Sequence, residues 1–168
     1  MSSTYEKIAT TTLGSNTNTV TFSTISGSYT DLVVIARAGA VTNNVPGLQL
    51  RFNGDTSSLY SSTRLNGNGT AAQSTRNSNS TAIEGGNFST GFPTLANGGF
   101  VWICNVQNYS NTTTNKTVIA RYSAAATDVG AMVGLYRSTS AITSLTLLTT
   151  SDNFATGSVF TIYGIKAE

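Results

Sequence analysis

The side chains that take up protons, hold metals or attack carbon are scarce in this chain, and their spacing is poor. There is no histidine among the 168 residues, which removes the commonest general base and the commonest metal ligand. A Ser-His-Asp triad, a Cys-His dyad and the histidine-containing zinc motifs are thereby excluded. Seven carboxylates remain: Glu6, Asp31, Asp55, Glu84, Asp128, Asp152 and Glu168. A glycosidase needs only two of these across a cleft, but most lie in turn or terminal stretches, where Asp serves the backbone. Glu84, beside Gly85-Gly86 in a long polar region, is the least easily dismissed, and with Asp55 it is the pair whose substitution would test a glycan-degrading reading. The chain reads as a non-enzyme. Asn53-Gly54-Asp55 offers oxygens to a Ca²⁺ ion but lacks the further acidic positions of a dedicated loop, so it reads as a turn. Gly67-Asn68-Gly69 has no following Lys-Ser/Thr pair and is not a phosphate loop. Cys104 is the sole cysteine, within the apolar run 100–106, and reads as a small buried hydrophobe. No cofactor and no metal are expected.

Tyrosines beside Asn and Thr can hold sugars by ring stacking and hydroxyl hydrogen bonds. Tyr60, Tyr109 and Tyr136 are the candidate glycan or partner contacts on that ground. The competing reading places the same rings in a core or subunit interface. Six Asn-X-Ser/Thr matches, at Asn68, Asn79, Asn87, Asn108, Asn111 and Asn115, follow from the abundance of those residue types.

Only 10% of residues are charged and the net charge is +2, far from the usual quarter charged. Ser, Thr and Asn make up about 40% of the chain. Low charge with many β-formers argues against disorder. The arginines at 37, 51, 64, 76, 121 and 137 are scattered, so no run builds a phosphate-binding stripe, and nucleic acid is not an expected partner. No apolar run approaches the length of a membrane helix. The first residues lack the basic and apolar regions of a signal peptide, so the expectation is synthesis in a cytoplasm without export by the usual route.

The elements that must carry these residues are strands. Residues 5–13, 19–22, 31–38, 48–52, 100–108, 116–122, 129–137, 142–149 and 157–166 alternate or concentrate β-branched and aromatic types between Gly-, Asn- and Ser-rich turns. The last begins at a Gly-Ser turn. Val159, Thr161, Tyr163 and Ile165 fall on one face, Phe160 and Ile162 on the other. Apolar groups on both faces mark a covered strand inside a sheet. Residues 57–65 offer Leu59, Tyr60 and Leu65 to one side of a short helix capped by Thr56 or Ser57, or else form an ordered loop. Residues 70–93 read as one or two exposed strands with long loops. Gly130 and Gly134 share a face where a second backbone can approach. The expected fold is all-β: one domain over residues 1–168, an antiparallel jelly-roll-like β-sandwich of eight or more strands with at most one short helix. The expected core holds Leu32, Val34, Leu50, Phe52, Trp102, Val118, Val133, Leu145 and Phe160.

Two stretches carry a resemblance. Phe52-Asn-Gly-Asp-Thr-Ser-Ser-Leu-Tyr60 runs on to Leu65-Asn-Gly-Asn-Gly69, and Gly157-Ser-Val-Phe-Thr-Ile-Tyr-Gly-Ile-Lys166 closes the chain. With Val20-Thr-Phe22, Tyr29 and Asp31-Leu-Val33 before them, they resemble small β-rich virion proteins of tailed bacteriophages. The match spans most of the chain, and order and spacing carry more weight than any single motif. That family offers no catalytic residues. The resemblance implies a virion component, first a capsid decoration or cement protein on the head exterior. Its partners would be other virion proteins, chiefly the major capsid protein, and its own copies in a homotrimer. The alternative is a tail-fibre or receptor-binding module that holds host-surface glycan.

Overall fold

The computed structural model describes residues 4–42, 47–86, 92–124 and 128–166. The Asn87 match and Glu168 lie outside these. Twelve strands account for nearly all regular structure: β1 (Tyr5–Thr12), β2 (Thr19–Phe22), β3 (Asp31–Ala38), β4 (Leu48–Phe52), β5 (Tyr60–Gly67), β6 (Ala72–Ser80), β7 (Ile83–Gly86), β8 (Phe100–Gln107), β9 (Lys116–Ala124), β10 (Asp128–Tyr136), β11 (Leu145–Thr149) and β12 (Val159–Ile165). The one helical element among the described residues is a 3-10 turn, Leu95–Asn97. Thr94 caps it by accepting from the Asn97 amide, and Gly98 ends it in the left-handed region.

All strand pairs are antiparallel and fall into two sheets. One has eight strands in the order β1-β12-β3-β8-β9-β10-β5-β6; the other has four in the order β2-β11-β4-β7. Set β5, β6, β9 and β10 aside, and the remaining eight strands form two four-stranded sheets. Their first strand lies beside their last and their second beside their next-to-last. That is the strand order of a jelly roll. The other four strands enter as two excursions, after β4 and after β8, and both extend the larger sheet beyond β8. As read from sequence, β12 lies inside the sheet, between β1 and β3.

The apolar core lies between the sheets. Leu32, Val34, Leu50, Phe52, Trp102, Val118, Leu145 and Phe160 are all buried, and the Trp102 indole donates to the Gly85 carbonyl at 2.8 Å. Burial on this scale supplies the main favourable term of the fold.

Val133 is a correction: it is 55% exposed on the outer side of β10. The inner side of that strand carries Gly130, Met132, Gly134 and Tyr136 instead. A Cβ on Gly130 would stand 2.5 Å from the Tyr122 ring, and one on Gly134 would stand 2.7 Å from Ile83. Neighbouring side chains, rather than a second backbone, fill the space these glycines leave. The small residues therefore mark the buried face and the valines the open one.

Residues 57–65 are a second correction. No helix forms, and Tyr60 opens strand β5, with Tyr60 inward and Leu65 outward. Ladders to β10 and β6 satisfy its backbone on both sides. The inward set below Tyr60 is polar: Ser62, Arg64 and Asn66. Arg64 donates to Asn66 Oδ1 at 3.3 Å, and Asn66 donates to Asp128 Oδ2 at 3.1 Å. This buried polar line inverts the usual apolar-in alternation, which is why the segment does not announce itself as a strand.

Candidate functional site

The Phe52–Asp55 stretch is a tight turn whose two central residues are both left-handed, Asn53 at φ 52° and Gly54 at φ 65°. Asn and Gly tolerate that region best. The Asp55 amide closes the turn on the Phe52 carbonyl at 2.9 Å. The Asn53 side chain fixes the approach to β11. Its Oδ1 accepts from the Thr143 amide at 2.8 Å and the Ser144 amide at 3.2 Å, while its Nδ2 donates to the Ala141 carbonyl at 2.9 Å.

Asp55 is equally engaged. Oδ1 accepts from the Ser57 amide at 2.8 Å and from the Ser57 hydroxyl, and Oδ2 accepts from the Tyr136 hydroxyl at 2.7 Å. The Ser57 hydroxyl, the Ser57 amide and the Tyr136 hydroxyl, in that order, hold the carboxyl below its ordinary pKa. With these oxygens committed, Asn53 and Asp55 present no preformed cation cage, and no group of three metal-ligating side chains occurs among the described residues.

The three candidate tyrosines all belong to the interior. Tyr60 and Tyr136 stack at 4.6 Å between centroids with an interplanar angle of 13°, and Phe52 lies 5.7 Å from Tyr136. The Tyr60 hydroxyl stands 3.2 Å from the Phe52 carbonyl and 3.1 Å from that of Asp55. Tyr109 donates to the Ser26 carbonyl and accepts from the Tyr29 amide at 3.4 Å. All three residues are buried, so no ring face is open for a sugar to stack on. Burial, first among the causes, pushes all three phenol pKa values up. All three rings lie within the core cluster between the sheets.

The remaining chemical candidates are likewise occupied. Glu84, half-buried in β7, accepts from the Gln49 side-chain Nε2 at 2.7 Å. Cys104 is fully buried, and burial pushes its thiol pKa up, away from reactivity. Asn68 Oδ1 accepts from the Thr70 and Ala71 amides, closing the β5–β6 turn. Asn111 Oδ1 does the same for Thr113 and Thr114. Lys116 is buried, and its Nζ staples the Thr114 carbonyl at 2.7 Å to the Thr139 carbonyl at 3.1 Å. A polar hollow of about 320 Å³, lined by Asn18 and residues 149–153, contains no aromatic platform.

What stays open is the outer face of the eight-stranded sheet. Its residues form rows across the strands. One row runs Thr161, Ile35, Ile103, Arg121, Ala131, Leu65 and Ser74, and the next runs Tyr163, Val33, Asn105, Ile119, Val133, Thr63 and Arg76, of which Val33 is itself buried. Leu65 is 62% exposed, Val129 and Val133 are 55% each, and Ile119 and Val101 exceed 40%. A shallow hollow of about 680 Å³ at this end of the sheet is lined from both of its faces, by the outward Leu65, Ala72, Ser74 and Val129 and the inward Asn66, Tyr122 and Gly130. A smaller one of about 170 Å³ lies on the other side of Leu65, against Thr63, Ile119, Ala131 and Val133. Arg121 and Arg76 lie in these rows and Arg37 in the adjoining one, between Val159 and Val101, and none of the three has a carboxylate as its cross-strand neighbour. The signal for this face was present in the valine alternation of residues 129–135 but pointed inward.

No family model and no curated protein matches the chain. A human SPRY domain aligns over 99% of this chain and 99% of its own length, at 9% identity and a TM-score of 0.34. An alginate lyase bound to an alginate tetrasaccharide aligns over 98% and 75%, at 8% identity and a TM-score of 0.29. The CBM2 module of an evolved Dit protein from Lactobacillus casei BL23 phage J-1 aligns over 89% and 69%, at 9% identity and a TM-score of 0.26. Likenesses this distant assign neither a family nor an activity.

Proposed function

We propose that this chain is a structural component of a tailed-bacteriophage particle, a capsid decoration or cement protein that acts by packing against other virion proteins and converts no substrate. The observation that carries the reading is a contrast within one fold. The candidate catalytic and sugar-contacting side chains Asp55, Glu84, Tyr60, Tyr109 and Tyr136 are held by internal partners or buried, while a broad apolar sheet face is left uncovered. Exposed apolar patches of this kind mark interaction surfaces. The resemblance of the 52–69 and 157–166 stretches to phage virion proteins supplies the setting. The turn and the closing strand that carry it are structural here: the first anchors Tyr60 and Tyr136, the second builds β12. Repetition over a particle turns modest contacts into firm attachment.

Immunogold labelling of particles from the encoding phage tests the proposal. Dense label over the head exterior is the expected result. Label confined to the tail tip would favour the receptor-binding alternative, and unlabelled particles would end the virion reading.

A further inference from the structure

We infer that the outer face of the eight-stranded sheet is covered by a second copy of this chain; the inference rests on the packing function proposed above and names the partner of that surface. Three observations favour a copy of the same chain over a foreign partner. The first is relief. Leu65, 62% exposed, projects beside a hollow that its own neighbours Thr63, Ile119, Ala131 and Val133 line. A knob beside its own hole is what a self-complementary contact requires, since the same patch serves both subunits.

The second is extent. The face crosses seven strands from β12 to β6. At about 4.8 Å between strands and 3.3 Å per residue, seven residues deep, it offers roughly 700–800 Å² in plan. That is close to the about 800 Å² per partner that stable complexes bury. The third is the edge. β6 is a nine-residue edge strand, exposed nearly throughout, with Arg76 its only charge. Such an edge invites pairing unless a neighbour covers it, and it adjoins the larger hollow through Ala72 and Ser74.

The three arginines are compatible with this arrangement. Arg37 lies two strands from Arg121, and Arg76 lies three strands from it on the other side. These separations are about 10–14 Å, at or beyond the screening length at physiological salt. Their aliphatic stems cover apolar surface while the guanidinium groups reach water at the rim.

Sedimentation velocity of the full chain, from about 1 to 100 µM, tests the inference. The unaltered chain is expected to sediment as a dimer or larger species at about 10 µM. Leu65→Asp and Val133→Asp should each weaken association about 100-fold or more, as substitutions at the centre of an interface do. Thr21→Asp, on the exposed side of β2 in the other sheet, should leave association unchanged. Because Leu65 and Val133 point outward, both variants should retain the thermal unfolding of a folded monomer. A chain that stays monomeric at about 100 µM, or an oligomer untouched by both variants, would overturn the inference. Particle labelling separates the two claims. A monomeric chain found on particles would refute the second copy and leave the virion reading standing. A face-dependent dimer absent from particles would do the reverse.

Discussion

The corner at Phe52–Asp55 and the outer face of β10 lie in the same molecule and make opposite use of their side chains. At the corner, the Asn53 amide, the Asp55 carboxylate and the Tyr60 and Tyr136 hydroxyls are engaged in hydrogen bonds within the chain. On the outer face, Leu65, Val129 and Val133 stand open, packed under nothing in the described chain. In sequence the corner reads as a turn and Val133 reads as core. The structure keeps the first and reverses the second. Polar groups that partner one another build the fold, and apolar groups left in water await a partner.

Substitutions can sharpen this contrast, beginning beneath both regions. Trp102→Ala should destabilise the fold by about 3–5 kcal/mol in urea unfolding, because it opens a cavity and orphans the Gly85 carbonyl. A variant melting with the parent would place the indole outside the core. Gly134→Ala should cost about 1–3 kcal/mol, since its new methyl would meet Ile83. This compares the two sides of β10 directly: Val133→Thr, one residue away on the open side, should change monomer stability by less than about 0.5 kcal/mol. Equal losses at the two positions would abolish the distinction between buried glycines and exposed valines.

Tyr60→Phe should cost about 1 kcal/mol, the net worth of the hydroxyl's contacts with the Phe52 and Asp55 carbonyls. No loss of stability would remove the corner's claim to be structural. The smallest effect is on pH. The carboxyl pKa of Asp55 is lower in the folded chain than in the unfolded one. Its contribution is therefore present above the ordinary carboxylate range near pH 4 and is lost as pH falls through the lower folded value. Thermal melts below about pH 4 should fall less steeply for Asp55→Asn than for the parent. Parallel curves would show that the Ser57 and Tyr136 bonds do not favour the ionised form.

Much of the fold is legible in the chain. β2, β3 and β4 begin and end where alternation and turn residues place them. β12 shows its interior position through apolar groups on both faces. β5 is hidden because Ser62, Arg64 and Asn66 point inward, and the partners that satisfy Arg64 and Asn66 include Asp128, which is distant in sequence. Val133 reads as inward in sequence because a row of valines outweighs a row of glycines on any hydrophobic scale. The space for those glycines is created by Tyr122 and Ile83, residues that no local window contains. The tyrosines carry two compatible readings in sequence, and only burial separates them. The grouping of Arg37, Arg76 and Arg121 on one face depends on strand order, which alternation does not encode.

The central claim is that the chain works by packing through its open sheet face. Quantitative mass spectrometry of purified particles, comparing the parent with a folded Ile119→Asp, Val133→Asp double variant, tests it most directly. The account predicts parent chain in fixed proportion to the shell protein and a variant depleted about tenfold or more. Equal incorporation of the two, or particles that lack the parent chain altogether, would contradict it.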